Sequence, residues 1–513
     1  MKTRRKVWWM VGLTAVWVFG PIAGGCQRDA RDAGPPAAKV ARKPNIIFIL
    51  VDTLRADRLG CYGDPRGLSP TMDALAGEGV MFERTIATAP WTLPSVASFF
   101  CGYYPSVHKV TSYQEALRSA QVAGKVRYFG EQFTTLAEIL RANGYETAGF
   151  SANPFVTAKF GFAQGFEHFD SSFAANTTPG RVVNAAALQW LRQRKSDKPF
   201  FLYLHYMDVH DPYKADAEYV EPLVDAVRRM ADKRLLTAAE RQRHRRFFAK
   251  SAVAYRNNPR HRALFRYAEY WRARYDAGVP QINAYLADLR GQVERLGLWA
   301  DALVIVTADH GEALGEHHIW AHGLSAHQDQ LHVPLILRWP HHLPAGKRIR
   351  RTVRLFDVMP TILDLVGIRP PDGIQARTLA GLIRGGGAYD AIALAEAVKQ
   401  RPQEKALVVG KWKLLAFMAK NRYELYDLDA DPLERHDLAA DQPDQLARLR
   451  GLLARQLEEN AALGRDVKAQ STGISAQERA RFQALGYFEE HAEKQDTGEG
   501  QASQPAGPGG GRP

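Results

Sequence analysis

The stretch PNIIFILVD, residues 44–52, decides the fold. An unbroken apolar run that a proline opens and Asp52 closes is typical of a parallel strand buried on both faces. Two later runs, PFFLYL (199–204) and ALVIVT (302–307), repeat the pattern. Helical patterns such as residues 134–143 lie between the runs. We therefore predict an α/β fold, a three-layer sandwich with a mostly parallel central sheet, plus a smaller C-terminal subdomain.

Polar side chains follow these runs where each strand is expected to end. Asp52 closes the first run, His205 comes directly after the second, and Asp309 and His310 follow the third. Ligands of such sheets bind outside the carboxyl ends of the strands. Two carboxylates and an imidazole at one edge suit a divalent cation. Taken singly, Asp309 and His310 would fit a turn, and Asp52 would fit a helix cap.

The composition bounds the class of protein. The chain has 513 residues, 46% hydrophobic and 24% charged, which excludes a wholly disordered chain and allows one large α/β domain with additions. Three cysteines are too few for a disulfide framework. The single long apolar run lies at the N-terminus, which excludes a protein that crosses a membrane several times.

The N-terminus has the pattern of an export signal. The Lys- and Arg-rich residues 2–6 precede an apolar run over 7–22, and the small residues 23–25 lead into Cys26. This ending resembles a bacterial lipobox, in which Cys26 carries the lipid. Two alternatives are a twin-arginine signal at residues 3–5 and an uncleaved anchor helix, since the run approaches the ~20 residues that span a bilayer. We expect an extracytoplasmic protein of the bacterial cell envelope that is anchored to a membrane.

Shifts in composition predict the domain order. The main domain carries a basic insertion, and the last segment is rich in Gln, Gly, Pro and Ser. The predicted segments are a signal (1–26), a linker (27–43), the main domain (44–370), the C-terminal subdomain of the same unit (371–465), a helical extension (466–489) and a disordered tail (490–513).

The basic insertion covers about residues 215–274 and has helical patterns. Residues 225–274 hold 15 Lys and Arg against 4 Asp and Glu, a net of +11 within a chain whose formal charge is +13. The insertion is either a solvated helical hairpin or an electrostatic surface for anionic lipid headgroups, polysaccharide or an anionic substrate. We expect no nucleic-acid partner, because the chain is predicted to be exported and its sequence shows no recognisable nucleic-acid-binding module.

A hydroxyl lies where a loop enters a helix. The segment APWTLPSVAS (89–98) is bracketed by prolines in its first half and places Thr92 just before the predicted helix. The backbone N–H groups of a helix N-terminus stabilise an anionic transition state. By position alone, however, Thr92 and Ser95 are good helix caps.

Several segments, in this order, resemble one family. They are NIIFILVDTLRADRLGCYG (45–63), TAPWTLPSVASFFCGYYPSVH (88–108), FFLYLHYMDVHDPY (200–213), VIVTADHGEALGE (304–316), VPLI (333–336), FDVMPTI (356–362) and YELYDLDADPLE (423–434). The resemblance is to the sulfatase family of the alkaline-phosphatase superfamily and runs from about residue 44 to 460. It implies a metal-dependent hydrolase of anionic esters.

The sequence departs from the family pattern at the reacting residue. Sulfatases have Cys or Ser, any residue, Pro, Ser, Arg, and oxidise the first residue to formylglycine. Here Thr92, which is not a substrate for that oxidation, stands first, and Val96 replaces the Arg. Thr53 stands for the second of two paired Asp residues, and SANP (151–154) stands where the family has Gly-Lys-Trp-His. His322 takes the place of a Lys.

These departures resemble the threonine-nucleophile branch of the superfamily. That branch includes nucleotide pyrophosphatase/phosphodiesterases and phosphoethanolamine or glycerol-phosphate transferases. The resemblance implies one metal site built from Asp52, Thr92, Asp309 and His310, without formylglycine. Two Asp, one His and a hydroxyl favour Zn or Mn over Ca or Mg as the divalent ion.

Other polar residues complete the predicted site. We assign His210, in the family's His-x-Pro segment, and His322 to binding the non-bridging oxygens or protonating the leaving group. Asn153 is predicted to donate to the bound oxyanion. Asp208 is a weaker candidate for a second metal. Four histidines outside the motifs are expected to be surface or core residues: His205, His317, His327 and His332.

The leaving group favours phosphorus over sulfur. A formylglycine hydrate releases sulfate by elimination, whereas a Thr92 adduct needs water or an alcohol to attack the central atom in line. We therefore predict a two-step hydrolase or transferase acting on a phosphate mono- or diester. The alternatives are a sulfuric ester hydrolase and, from another class, a non-catalytic lipoprotein that binds anionic glycans.

Overall fold

A computed structural model describes most of the chain. The described residues are 43–111, 125–175, 177–230, 234–243, 248, 258–387, 389–396, 398–399 and 403–478. The predicted signal (1–26), nearly all of the linker (27–43) and the predicted tail (490–513) lie outside them. The described helices include none that is both long and apolar enough to span a membrane.

The strands follow the apolar runs of the sequence. In chain order they are β1 (Ile46–Val51), β2 (Val80–Ile86), β3 (Lys125–Arg127), β4 (Glu146–Ser151), β5 (His168–Asp170), β6 (Phe200–Tyr206), β7 (Leu303–Thr307), β8 (Ala313–Leu314), β9 (Trp320–Ala321), β10 (His332–Val333), β11 (Leu335–Arg338), β12 (Lys347–Arg354), β13 (Ala393–Ala395), β14 (Glu404–Val409), β15 (Trp412–Phe417), β16 (Arg422–Asp427) and β17 (Ser471–Gly473).

Helices separate most of these strands. They are α1 (Pro70–Glu78), α2 (Thr92–Cys101), α3 (Pro105–His108), α4 (Leu136–Ala142), α5 (Gly180–Gln193), α6 (Ala217–Arg229), α7 (Ala238–Arg243), α8 (Pro259–Arg262), α9 (Ala268–Asp276), α10 (Gly278–Arg295), α11 (Gln328–Leu331), α12 (Val358–Leu365), α13 (Ala380–Arg384) and α14 (Pro443–Leu463). Short 3-10 turns are Ala56–Arg58, Gly60–Tyr62, Ala158–Phe160, Glu316–His318, Leu355–Asp357 and Met418–Lys420.

The central sheet is mostly parallel, as predicted. Its order is β10-β2-β11-β7-β1-β6-β4-β5, with β12 paired to β2. The neighbours β7, β1, β6, β4 and β5 run parallel, and β12 is parallel to β2. Strand β11 is antiparallel to both β7 and β2, and β10 is antiparallel to β2. The three strands that end in polar residues, β6, β1 and β7, are therefore adjacent.

The sheet separates two hydrophobic cores. Side chains of β1 at even numbers, such as Phe48, pack in the core that α2 and α12 line. Those at odd numbers, such as Ile49, pack in the core that α1, α5 and α10 line. Because both faces of β1 are buried, all six of its residues are apolar. Helices cover both faces, and the predicted three-layer sandwich is confirmed.

The additions to the sandwich are the helical insertion and an antiparallel sheet near the C-terminus. The insertion is helical, in α6 to α9. The C-terminal subdomain holds the antiparallel sheet β13-β14-β15-β16, against which α14 packs. The predicted helical extension (466–489) is wrong at its start, because Ser471–Gly473 form a strand that pairs with Lys125–Arg127. Pairing with a distant strand outweighs the local preference of that segment.

Candidate active site

The carboxyl ends of three adjacent strands build the centre of the site. Asp52 follows β1 directly, and its backbone N–H donates to the carbonyl oxygen of Tyr206 at 2.9 Å. His205 lies in β6 opposite Leu50. Asp309 follows β7. All three side chains are fully buried, so the sheet brings them together away from solvent.

One oxygen of Asp52 collects hydrogen bonds from three side chains. Its Oδ2 accepts from Asn153 Nδ2 at 2.6 Å and from Thr92 Oγ1 at 3.4 Å. His205 Nε2 lies 3.0 Å from the same oxygen. The predicted nucleophile and the predicted metal ligand are therefore in direct contact.

In this centre, two buried carboxylate oxygens have no hydrogen-bond donor among the described residues. They are Asp52 Oδ1 and Asp309 Oδ2. His310 Nε2 lies 3.6 Å from the first and 3.3 Å from the second. A buried charged oxygen without a partner is costly, and a bound cation removes that cost. The donor set of Asp52, Asp309 and His310 thus fits a divalent metal, and His205 lies close enough to join Asp52 and Asp309 as a ligand.

The ring of His310 is oriented for a ligand role. Its Nδ1 lies 2.9 Å from the carbonyl oxygen of Gly311, a group that only accepts, so Nδ1 carries the proton. The lone pair of Nε2 then points to Thr92 Oγ1, 3.3 Å away. A histidine whose other nitrogen is fixed by a backbone carbonyl is the usual arrangement at metal sites.

Thr92 is the first residue of α2 rather than the residue before it, and it is 1% exposed. The N-cap position belongs to Trp91, and no side chain caps the helix. Ser95 Oγ instead donates to the carbonyl oxygen of Asp309 at 2.7 Å. Neither hydroxyl therefore acts as the helix cap that position alone would favour, and Ser95 ties the helix to the end of β7.

The pKa values of the two aspartates are shifted in opposite directions. Burial alone would raise the pKa of Asp52, but the His205 hydrogen bond and the nearby His210 and His310 lower it far below its usual range. Burial and the Asp52 charge raise the pKa of Asp309. Two carboxylates this close repel each other, and a cation between them relieves that repulsion.

The turn after Asp52 is strained. Thr53 has φ 59°, a left-handed conformation that is rare for a β-branched residue. Its carbonyl oxygen accepts from Tyr275 Oη at 2.8 Å, and its hydroxyl donates to the carbonyl oxygen of Asp52 at 2.7 Å. Such strain concentrates at functional sites, where the surroundings hold it in place.

Two further histidines lie beside this centre. The His322 ring centroid is 4.8 Å from that of His310 and 4.8 Å from that of His210. Asp211 holds His210, with its carbonyl oxygen 2.8 Å from Nδ1. Burial alone would lower the pKa of His210, but Asp211 and the charges of Asp52 and Glu312 raise it to about 9. The neighbouring carboxylates therefore favour the charged form of the His210 ring.

Glu312 supports His322 and was not singled out by the sequence. Its Oε2 lies 2.8 Å from His322 Nδ1, and its Oε1 accepts from Tyr213 Oη at 2.7 Å. Burial raises the pKa of Glu312 to about 8, although His210 opposes the rise. The hydrogen bond within this Glu312–His322 pair fixes the orientation of the His322 ring. The signal available was its position three residues after Asp309, at the same strand end.

Asn153 lies inside the cluster. Its amide nitrogen donates to Asp52 Oδ2 and is 3.5 Å from Thr92 Oγ1. Its amide oxygen accepts from the Phe155 N–H at 2.7 Å, which fixes which way the amide faces. The predicted oxyanion donor therefore also orients the carboxylate next to the hydroxyl.

The remaining sequence candidates fall into three groups. His205 belongs to the centre, contrary to the expectation of a core or surface residue. Asp208 binds other residues, because its Oδ1 accepts from Gly180 N–H and Gln281 Nε2. His332 holds the carbonyl oxygen of Glu83 at 2.8 Å. The ligand atoms of His317 and His327 lie near those of Glu434 in a second cluster that is suited to a metal, but Glu434 is already paired with the buried Lys413.

Comparison with known proteins identifies the family of this chain. Residues 44–368 match the profile of the family described as sulfatase. The chain belongs to the sulfatase family. Residues 315–462 also match the profile described as N-sulphoglucosamine sulphohydrolase, C-terminal. As a member of the alkaline-phosphatase superfamily, the protein is an ester hydrolase of the metal-dependent type.

Individual sulfatase-family proteins are distant relatives. An arylsulfatase of Clostridium perfringens (strain 13 / Type A) is 23% identical over 485 residues, which cover 81% of this chain and 95% of the relative. An enzyme solved with its substrate D-glucosamine-2-N,6-O-disulfate has a TM-score of 0.65 at 19% identity, covering 83% and 99%. Phosphonate monoester hydrolase of Agrobacterium radiobacter has a TM-score of 0.62 at 21% identity, covering 84% and 97%. These structures share the fold.

Proposed function

We propose that this sulfatase-family protein cleaves a phosphate mono- or diester through a covalent Thr92 adduct, with water or an alcohol as the final acceptor. The observation that carries the proposal is the Thr92 hydroxyl, which lies 3.4 Å from Asp52 Oδ2 and 3.3 Å from His310 Nε2. A threonine cannot become formylglycine, so the elimination that releases sulfate from an aldehyde hydrate is not available to it.

A divalent cation held by Asp52, Asp309 and His310, with His205 beside them, would lower the pKa of the Thr92 hydroxyl, so that its proton leaves to water, and would neutralise charge on the attacked ester. Two carboxylates with imidazole favour Zn or Mn over Ca or Mg. The cofactor is then one bound divalent ion, and the substrate is an anionic ester.

The histidines complete the transfer. In the first step the Thr92 oxygen forms a bond to phosphorus, the bond to the leaving oxygen breaks, and that oxygen takes the proton of the Glu312–His322 pair. His210 and Asn153 bind the non-bridging oxygens. In the second step the same pair removes a proton from the attacking water or alcohol, whose oxygen forms a bond to phosphorus. The phosphorus–Thr92 bond breaks, and the Thr92 oxygen is restored.

Sulfate-ester hydrolysis is the second candidate. It is favoured by the family match and by relatives that are named sulfatases. A non-catalytic glycan-binding protein is less consistent with a buried hydroxyl surrounded by metal-type ligands. The phosphonate monoester hydrolase among the structural relatives supports phosphorus chemistry on this fold.

The test compares esters and traps the adduct. The protein, loaded with Zn or Mn, is assayed with bis-p-nitrophenyl phosphate, p-nitrophenyl phosphate and p-nitrophenyl sulfate. We expect faster turnover of a phosphate ester, and after acid quench a phosphoryl group on the peptide that contains Thr92. Thr92→Ala should remove both signals while folding normally. Thr92→Ser should keep the adduct, because it retains the hydroxyl.

Three results would contradict the proposal. Faster turnover of the aryl sulfate would favour the sulfatase alternative. Activity that survives in Thr92→Ala would exclude this residue as the nucleophile. Absence of both turnover and bound metal would instead favour the binding protein.

We also infer an envelope location from the N-terminal signal pattern, with Cys26 as the lipid-bearing residue. Mass spectrometry of the N-terminal peptide from native membranes tests this. A lipidated Cys26 supports it, and an intact residue 1 would favour the anchor helix.

A further inference from the structure

The C-terminal subdomain reaches the active site through the segment that follows β13. The N–H of Glu396 donates to the carbonyl oxygen of Thr88 at 2.9 Å, and the N–H of Lys399 donates to the carbonyl oxygen of Gly323 at 2.8 Å. These bonds fix the backbone of this segment against the loop before α2 and against the turn after β9. Residues remote in sequence are thereby placed beside the backbone of Thr88 and Gly323, close in the chain to Thr92 and His322.

The Lys399 side chain is held against two neighbours of those groups. Its Nζ lies 5.1 Å from the ring centroid of Trp91, the residue before Thr92. A Cβ at Gly323, the residue after His322, would come within 2.9 Å of Lys399 Cδ. The stem therefore packs on bare backbone, where Gly323 also has φ 75°. Lys399 is only 8% exposed.

The buried ammonium of Lys399 can attract an anionic substrate. The site holds the carboxylates of Asp52 and Asp309 close together, and their charges repel an anionic ester. A cation next to Trp91 and Gly323 lies within one residue of Thr92 on one side and of His322 on the other. The face of the Trp91 ring attracts the ammonium.

We propose that Lys399 is a substrate-binding residue whose ammonium contacts a charged non-bridging oxygen of the ester, so that the site favours dianionic monoesters over monoanionic diesters. This inference extends the proposed function, because it names the charge class of the substrate. A monoester offers an extra anionic oxygen that a diester lacks, and a charge-assisted hydrogen bond to it strengthens binding.

The test replaces the charge and keeps the stem. Lys399→Met should lower kcat/KM for p-nitrophenyl phosphate by about 10- to 100-fold, mainly through KM, the range for hydrogen bonds to charged groups. For bis-p-nitrophenyl phosphate the loss should be smaller by at least a factor of about three. Lys399→Arg should recover most of the monoester activity. The matched control is Lys411→Met, since Lys411 Nζ also lies 5.1 Å from a tryptophan ring, that of Trp412, in the same subdomain.

A binding measurement separates this inference from the proposed function. Calorimetric titration of the metal-loaded protein with inorganic phosphate should show weaker binding for Lys399→Met and unchanged binding for Lys411→Met. That result supports Lys399 even if the wild type turns over no phosphate ester, in which case the proposed function alone fails. Equal phosphate affinity in wild type and Lys399→Met, no phosphate binding at all, or equal losses for both esters with KM unchanged would each overturn the inference. The last outcome would assign Lys399 to holding the Trp91 loop.

Discussion

Asp52 Oδ2 accepts from Thr92 and Asn153 and contacts His205, while its other oxygen lacks a donor among the described residues. The carboxylate is thus fixed in position with one oxygen left for a cation. One oxygen of Asp52 thus binds protein side chains and the other is available to an ion. The first role requires polar residues around a buried carboxylate. A ligand held this firmly does not reorganise when the ion binds.

His205 is expected to contribute to metal affinity. His205→Asn should weaken binding by about 10- to 100-fold, the usual cost of losing a group that ligates or orients a ligand, because the shorter amide does not reach Asp52 Oδ2. Metal content after dialysis against graded Zn or Mn measures the effect. His332→Asn is the matched control, since His332 is a strand histidine that holds a backbone carbonyl. Full metal affinity in His205→Asn would remove His205 from the site.

The sequence predicted the site residues unevenly, for physical reasons. Four of them stand at strand or helix ends, and the structure brings them together in one cluster: Asp52, Thr92, Asp309 and His310. His205 lies inside a strand whose pattern is apolar, so its role depends on β6 being the neighbour of β1. Sheet order is a tertiary property that local pattern does not specify. Lys399 is even harder to predict from the sequence, because it lies in the C-terminal subdomain.

At the scale of elements, a buried ion pair fixes the start of α12. Arg354 and Asp357 form two hydrogen bonds of 2.7 and 3.0 Å, and Asp357 also accepts from the N–H of Arg377 at 2.8 Å and from the Tyr389 hydroxyl. The exposed fractions of the paired side chains are 6% and 0%. This pair connects the end of β12 to the segment that leads into the C-terminal subdomain.

Breaking that pair should be costly. Asp357→Asn is expected to destabilise the protein by about 3–5 kcal/mol, because it leaves the Arg354 charge buried without a counter-charge. Asp372→Asn is the control: Arg369 and Asp372 have the same i, i+3 spacing but are 82% and 85% exposed. Its stability should not change measurably. Urea unfolding of both variants gives the comparison, and equal midpoints would contradict it.

Elements with uniform burial were predictable, and elements made by distant pairing were not. The run at 46–51 is apolar throughout because two layers of helices cover it. The strand Ser471–Gly473 carries no such pattern, and it forms only because Lys125–Arg127 provide a partner more than 300 residues away in sequence.

At the scale of the whole molecule, the fold holds like charges together at the strand ends. Asp52 and Asp309 are fully buried, and neither is neutralised by Lys or Arg in the contacts of the described residues. Without a cation, the repulsion between these two carboxylates therefore lowers the stability of the folded state. Metal binding to the native state offsets this repulsion, and the stability of the protein therefore depends on the metal.

Metal removal should therefore lower the thermal stability of the entire protein. At a free metal concentration 100 times the Kd, binding to the native state contributes about 2.7 kcal/mol, and a chelator removes this amount. Differential scanning calorimetry with and without chelator should show a lower Tm for the wild type and no chelator effect for Asp309→Asn. His327→Ala, in the second histidine cluster, should behave as the wild type does. If the chelator effect persisted in Asp309→Asn and vanished in His327→Ala, the stabilising metal would belong to the cluster of His317, His327 and Glu434 instead.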